Sequence, residues 1–329
     1  MKLNKNPLIS IITPTWNREF FLKKLAKSLI SQTNKNFEWI VGNDGSEDQT
    51  DEFIKSFAKE ADFKIVYVKS SLRIGKAAID NILLDHVSGE YLSWCGSDDI
   101  FKPDAIETLT ELLRLIPQSQ KLNYVGIFSQ CLDNFGESQT FNKNNTLEET
   151  VHVNWEYIKR KVKGDGTILE RSEILKGKKF LEVDFLITES SYFNDLYKNK
   201  KFIFTPKVVK IMDRSAENSI SFGKKLQYCR GSAYSISKVE NENDFKTHSF
   251  FKKIKIITNY WRYSFHGDIS FWKAKNMLYA TRKNIMYILL YPLSLLICFR
   301  DNIYGKVEKT HLEFDENIKK KKIKIEYLN

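Results

Sequence analysis

Residues 8–45 read LISIITPTWNREFFLKKLAKSLISQTNKNFEWIVGNDG. The stretch opens on a β-branched run, Leu8 to Thr13, closed by Pro14, as expected for a buried parallel strand. Glu19 to Ser31 follows, with Phe21, Leu22, Leu25, Leu29 and Ile30 spaced to share one helical face. Phe37 to Gly42 is a second apolar run, broken by Asn43-Asp44-Gly45-Ser46, in which Asp-Gly is a strong turn signal. Strand, helix and strand in this order form a βαβ unit, whose crossover makes the two strands parallel.

Working outward, the alternation continues. Asp48 to Ala58 supplies a helix, Lys64 to Val68 a strand, Lys76 to His86 a helix, and Tyr91 to Trp94 a fourth strand after Gly89. That strand ends at Cys95-Gly96-Ser97-Asp98-Asp99, and Pro103 suits the first turn of a helix from Asp104 to Leu115. Four such alternations predict an α/β fold with a parallel sheet between helices. In such sheets ligands bind beyond the carboxyl ends of the strands, which is where the polar clusters fall. The second half is less regular. Tyr124 to Leu132, Thr167 to Leu169 and Val208 to Asp213 read as strands, Thr188 to Lys198 as a helix, Arg171 to Leu175 as a helix start, and Leu147 to Lys161 as a loop plus helix.

A chain of 329 residues suits one large α/β domain with an attached C-terminal segment. Hydrophobic residues at 42% and charged residues at 28% allow a sizeable core and argue against wholesale disorder. A formal net charge of +11 points to an anionic partner: nucleic acid, a membrane surface or an anionic substrate. Nucleic acid ranks last, because no arginine-rich arm, zinc finger or RNA-binding signature is present. Cys95, Cys131, Cys229 and Cys298 are far apart without CxxC spacing, which favours a reducing compartment over disulfides or zinc. The segment Met1 to Pro7 lacks the apolar core of a secretory signal, so the cytoplasm is the expected location.

From about Phe250 aromatic and basic residues interleave: Trp261, Arg262, Tyr263, Phe265, Phe271, Trp272 and Lys273. Ile285 to Phe299 carries no charge, with Arg282 and Lys283 before it and Arg300 after it. It falls short of the roughly 20 residues that span a bilayer and is interrupted by Pro292. An interfacial segment against the anionic inner leaflet of the cytoplasmic membrane is expected, with the later run Lys319 to Lys322 in support. A buried helix or a dimer contact is the alternative, and the lysines are equally a solvated tail.

Adjacent carboxylates after an apolar strand are one way to hold Mg²⁺ or Mn²⁺, whose other positions go to water and phosphate oxygens. Taken alone, Ser97-Asp98-Asp99 is also an ordinary turn. The same holds for Asp44 beside Gly45, and Arg73 with Lys76 is equally a surface charge. Order and spacing raise all three. Ile9 to Arg18, Ser31-Gln32-Thr33, Asn43 to Ser46, Gly89 to Leu92, and Ser97-Asp98-Asp99 with Pro103-Asp104 together resemble the family 2 glycosyltransferases of GT-A fold, the SpsA-like group. The resemblance covers roughly the first 110 residues.

It implies a Rossmann-like, mostly parallel central sheet flanked by helices, with a C-terminal helical extension. The catalytic domain would run over 1–220, with 1–115 binding the nucleotide-sugar and 116–220 the acceptor, and the basic, aromatic extension over 221–329. Thr13, Pro14 and Thr15 would lie along the nucleotide, Asp44 would bind the base, and Arg73 would contact the nucleotide. Asp98 would meet the ribose–diphosphate, and Asp99 first and Asp98 second the divalent metal, Mn²⁺ or Mg²⁺. Asn43 and Gly96 depart from the family, which usually has aspartate at the first and often at the second. An inverting member needs a carboxylate base, for which Glu189 is similar in context, with Asp184 and Asp165 as rivals. The expected reaction moves a sugar, UDP-linked by preference, to a hydroxyl of a glycan or lipid-linked oligosaccharide in surface polysaccharide or lipopolysaccharide synthesis. The competing expectations are a catalytically inactive scaffold and a sugar nucleotidyltransferase. Against the latter, no Gly-rich phosphate loop stands near the N-terminus.

Overall fold

A computed structural model describes residues 7–141, 147–162, 164–182, 190–213, 229–239, 245, 248–278, 286–304 and 323–328. The chain divides into two compact units. The first takes Met1–Glu182, Leu196–Glu217 and Phe314–Asn329, and the second Val183–Asp195 and Asn218–Glu313.

The first unit is built on one sheet. Its parallel part is β1 (Ile9–Thr15), β2 (Phe37–Asp44), β3 (Lys64–Ser70) and β4 (Tyr91–Trp94), in the order β3-β2-β1-β4. The helices α1 (Glu19–Ile30), α2 (Thr50–Phe57) and α3 (Lys76–Leu84) connect them, and α4 (Ala105–Leu113) follows. This is the predicted alternation. Side chains alternate faces along a strand. One face gives Ile9, Ile11, Trp39, Val41, Ile65 and Tyr67 to a single apolar cluster with Leu22, Leu25 and Leu29 of α1, Ile54 and Phe57 of α2, and Leu109 of α4. The other face meets α3 so closely that a Cβ on Gly42 would lie 2.8 Å from Ile79 and 2.9 Å from Leu83. Any larger residue there would have to push these side chains aside. Both faces are therefore covered, and the strands read as continuous apolar runs.

Beyond β4 the sheet becomes mixed, and parallel pairing gives way largely to antiparallel. The remaining strands are β5 (Asp99–Phe101), β6 (Tyr124–Asp133), β7 (Val151–Asn154), β8 (Gly166–Arg171), β9 (Lys201–Met212) and β10 (Ile323–Leu328). β8 lies antiparallel between β4 and β6, β9 runs parallel to β6, and β5 and β7 both pair antiparallel with β9. The last strand, β10, pairs antiparallel with β3 from Ile323↔Ser70 to Leu328↔Ile65 and covers that edge. It falls in a segment the sequence leads one to expect as helical extension or solvated tail. Its residues IKIEYL alternate, as a strand with two unlike faces should. Short helices α5 (Trp155–Lys161) and α6 (Ser172–Leu175) complete the connections, while α7 (Ser190–Tyr197) crosses the division of the chain between the two units.

The second unit is helical. Its main elements are α8 (Cys229–Val239), α9 (Phe250–His266), α10 (Phe271–Met277), α11 (Met286–Leu289) and α12 (Tyr291–Ile303). Ile257, Tyr260, Trp261, Ala274, Leu278 and Tyr287 form its core. The polar edges of the aromatics are satisfied there: Trp261 Nε1 donates to the Tyr287 carbonyl at 2.6 Å and Tyr260 Oη to that of Ala274 at 2.6 Å. Trp261 and Phe271, which the composition also allows at a membrane surface, are thus core and core-packed. Pro292 stands in the first turn of α12, where its missing N–H costs nothing. Arg282, Lys283, Ile285 and Lys319 to Lys322 lie outside the described residues.

Candidate active site

The carboxyl ends of β1, β2 and β4 converge, and each carries polar residues the sequence singles out. Pro14 and Thr15 are not a loop but the last pairs of β1, in register with Gly42 and Asn43 of β2. Thr13 is turned into the core, where its hydroxyl accepts from Trp39 Nε1 at 3.0 Å. The Thr15 hydroxyl is buried and has no partner among the described residues.

Asp44 ends β2 and is 4% exposed. Its carboxylate accepts from Ile74 N at 2.6 Å and from Gly75 N at 3.0 Å. Gly75 holds φ +91°, a conformation that favours glycine, which aims its N–H at this carboxylate. Burial pushes the Asp44 carboxyl up to about 6, while these N–H groups and the charge of Arg73 pull it down. The Arg73 guanidinium lies 3.6 Å from the centroid of the Trp16 ring, and its Nε is buried without a hydrogen-bond partner among the described residues.

Asn43 stands where the resemblance leads one to expect aspartate, and its contacts explain why an amide serves. Its Oδ1 accepts from Ser46 N at 2.8 Å and its Nδ2 donates to Tyr67 Oη at 3.0 Å. That hydroxyl spends its own proton on Asp51 Oδ1 at 2.8 Å. Against the push of burial, hydrogen bonds from Lys69, Lys55 and Tyr67 hold Asp51 at about 2. Tyr67 therefore needs a donor at position 43, which a carboxylate does not supply.

Asp98 and Asp99 follow β4. An ideal Cβ on Gly96 would lie 2.8 Å from Asp98 Oδ1 and 3.2 Å from Asp99 Oδ2. The two carboxylates thus converge over a point kept open by glycine, and an aspartate at 96 would crowd both. Burial, and next the charge of Asp99, push the Asp98 carboxyl above its usual range, and Arg18 opposes this from 3.3 Å. Two converging carboxylates are what a hard divalent cation relieves. Among the described residues no cluster of three or more metal-ligating groups occurs. The pair therefore fits a cation that takes its other ligands from phosphate and water.

One feature escapes sequence reasoning. Asp99 Oδ2 accepts from Gly96 N at 2.9 Å and from Lys210 Nζ at 2.6 Å. Lys210 and Asp99 are 6% and 4% exposed. Register explains the meeting: Phe101 of β5 pairs with Lys210 of β9, so Lys210 is the diagonal neighbour of Asp99 on the same face. Burial opposes the charge of Lys210, but Asp99 prevails and holds it protonated, above its ordinary value. The signal was a lysine inside the apolar strand VVKIM, since a buried charge requires a partner. The end of β9 also latches the loop, with Asp213 N donating to Asp98 O at 3.1 Å and Lys24 bound to Asp213 at 2.8 Å.

The structure thus brings Thr15, Asp44, Arg73, Asp98 and Asp99 to one end of the sheet. Asp165 is exposed in the turn before β8, where its backbone N–H and carbonyl bond Gln139 and Thr140. Glu189 and Asp184 lie outside the described residues.

Residues 10–167 match the family described as Glycosyl transferase family 2. The chain is 27% identical over 219 residues to the GalNAc(5)-diNAcBac-PP-undecaprenol beta-1,3-glucosyltransferase of Campylobacter jejuni, covering 66% of this chain and 68% of that protein. It is 41% identical over 101 residues to the glycosyltransferase GlyA of Streptococcus pneumoniae, which is 31% of this chain and 14% of that longer protein. Among solved structures, S. aureus TarS 1-349 in complex with UDP-GlcNAc superposes with a TM-score of 0.57 at 14% identity over 98% of this chain and 99% of that one. The mannosyltransferase PcManGT from Pyrobaculum calidifontis, in complex with GDP-Man and Mn2+, gives 0.51 at 15% identity over 92% and 89%. At such identities the structural likeness speaks for the fold.

Proposed function

This chain is a family 2 glycosyltransferase of GT-A fold through its residues 10–167, and from that premise we propose that it catalyses inverting transfer from a nucleotide-diphosphate sugar, UDP-linked by preference, to a hydroxyl of a lipid-linked glycan acceptor. The observation that carries the reading is the pair Asp98 and Asp99 converging at the strand ends, in line with Asp44 and Thr15. Asp44 offers the unused lone pairs of its carboxylate to a base donor. Arg73, whose guanidinium lies over the Trp16 ring, would offer its donors to the nucleotide. The buried hydroxyl of Thr15, without a hydrogen-bond partner among the described residues, would complete this side of the nucleotide site. Mn²⁺ or Mg²⁺ between Asp98 and Asp99 would supply the positive charge that stabilises the departing diphosphate. Lys210 and Gly96 N hold Asp99 through Oδ2, which would leave Oδ1 for the cation.

Glu189 is the proposed general base. It would take the proton from the acceptor hydroxyl as that oxygen forms its bond to the anomeric carbon and the bond to the leaving diphosphate breaks. The variant Glu189→Gln is expected to abolish sugar transfer while leaving donor affinity nearly intact. Near-normal turnover would remove Glu189 from the role.

A lipid-linked acceptor, of the kind named for the Campylobacter relative, requires the enzyme to reach a membrane. Supporting this, α12 is amphipathic the wrong way round for a soluble protein. Its buried side carries Ser294, Cys298 and Asp301, whereas Leu293, Leu296, Phe299 and Ile303 are exposed, as is Leu289 of α11. The fully buried Asp301 is held by Arg262, with NH2 at 2.8 Å, and by His266. Met286–Ile303 has a mean hydropathy of 1.3 yet is only 22% buried. Each large side chain removed from water gains about 2 kcal/mol. An interfacial seat on an anionic cytoplasmic leaflet, with Arg300 at its end, is the reading that uses this face.

A further inference from the structure

A cleft of about 760 Å³ opens at the opposite end of the sheet from Asp98 and Asp99. It is lined where β4 begins, by Gly89, Glu90 and Leu92, and where β8 ends, by Arg171. The four-residue β4 separates this end from the carboxylate pair by about 10 Å at roughly 3.3 Å per residue. The volume is that of a small-molecule site, which typically holds about 300–1,000 Å³.

Arg171 is the side chain that calls for a ligand. It pairs in register with Tyr91 of β4 and is 7% exposed. Its Nε is buried and has no hydrogen-bond partner among the described residues. Its one ion pair among the described residues is loose: NH1 stands 3.4 Å from Glu173, whose side chain is 70% exposed. Buried guanidinium groups are rarely left this way, because an unmet donor in the interior is costly. The acids around the cleft are otherwise engaged, Glu90 by Lys121 and Asp85 by Lys179. Lys176 and Lys178 also line it, with exposed side chains that form no ion pair among the described residues. One half-met arginine and two unmatched lysines exceed the charge of a single carboxylate and match that of a phosphate dianion, which the arginine fork also fits.

We propose that this cleft is a second, phosphate-binding site for a small soluble ligand, with Arg171 as its buried anchor and Lys176 and Lys178 at its mouth. The phosphate displaces Glu173 from Arg171 and takes its place at NH1. The site is independent of the transfer reaction and of the donor pocket.

Calorimetric titration of the full chain with inorganic phosphate and with glycerol phosphate tests this. Saturable binding is expected, weakened about tenfold or more, a loss of about 1.4 kcal/mol, in Arg171→Gln. The double variant Lys176→Gln/Lys178→Gln, changed only at exposed positions, should weaken it severalfold and keeps the test decisive if Arg171→Gln fails to fold. Asp98→Asn, at the far end, should leave it unchanged. Tighter binding of glycerol phosphate assigns an esterified source, and tighter binding of inorganic phosphate a free one; both support the site. No saturable binding up to ~10 mM, or binding that survives the lysine changes and disappears in Asp98→Asn, would overturn it.

Discussion

Lys210 and Asp99 set the terms on which the carboxylate pair operates. Removing one partner of a buried pair strands the other, which typically costs about 3–5 kcal/mol, whereas replacing both by apolar groups is often near neutral. Lys210→Met should therefore lower unfolding free energy by roughly 3 kcal/mol, and Lys210→Met/Asp99→Leu should recover most of it in urea denaturation while remaining inactive. Additive losses would show that the two residues do not act as a pair. Asp44 makes a separate prediction in pH. Its folded value of about 6 lies above the ordinary carboxylate value of 3.8, so the folded state holds the proton longer. The contribution of Asp44 to stability is then fully present below about pH 4 and lost as pH rises through about 6. The stability difference between the wild type and Asp44→Asn should shift against the wild type by about 2 kcal/mol between pH 4 and pH 7. A difference that does not move with pH would contradict the burial of this charge.

At the scale of elements, the first half was legible because each run was long, apolar and of one period. β4 has the bounds the sequence predicts, and α1 and α3 differ from theirs by one or two residues at the C-terminal end. The partners across the sheet were not legible. Lys210 reaches Asp99 only because β9 returns antiparallel beside β5, and Asn43 is an amide only because β3 brings Tyr67 beside it. Such facts depend on register, and no local pattern states them. Composition marked the run from 285 to 299 as apolar, but which side of it is covered depends on the helices packed around it. In α12 the polar side is the covered one, which yields a direct expectation. Leu296→Glu and Phe299→Glu should abolish flotation with anionic liposomes and leave the unfolding free energy within about 0.5 kcal/mol, since both side chains are exposed. Flotation equal to the wild type would remove this face from membrane contact, and a large loss of stability would mean that the side chains are covered within the protein.

For the molecule as a whole, the sheet unit gathers three stretches of chain, and its last strand seals the β3 edge. On the proposed function, the open end of this sheet binds a nucleotide-sugar through a divalent cation held at Asp98 and Asp99. Asp98 is the better position at which to test it, because an Asp99 variant also strands Lys210 and confuses binding with folding. The decisive measurement is calorimetric titration of the full chain with UDP- and GDP-sugars, with Mn²⁺ and with the metal chelated, repeated on Asp98→Asn. The prediction is binding of one nucleotide class that Mn²⁺ tightens about tenfold or more, about 1.4 kcal/mol, with that increment absent in Asp98→Asn. Equal affinity with and without the metal, unchanged by Asp98→Asn, would contradict the assignment of the carboxylate pair.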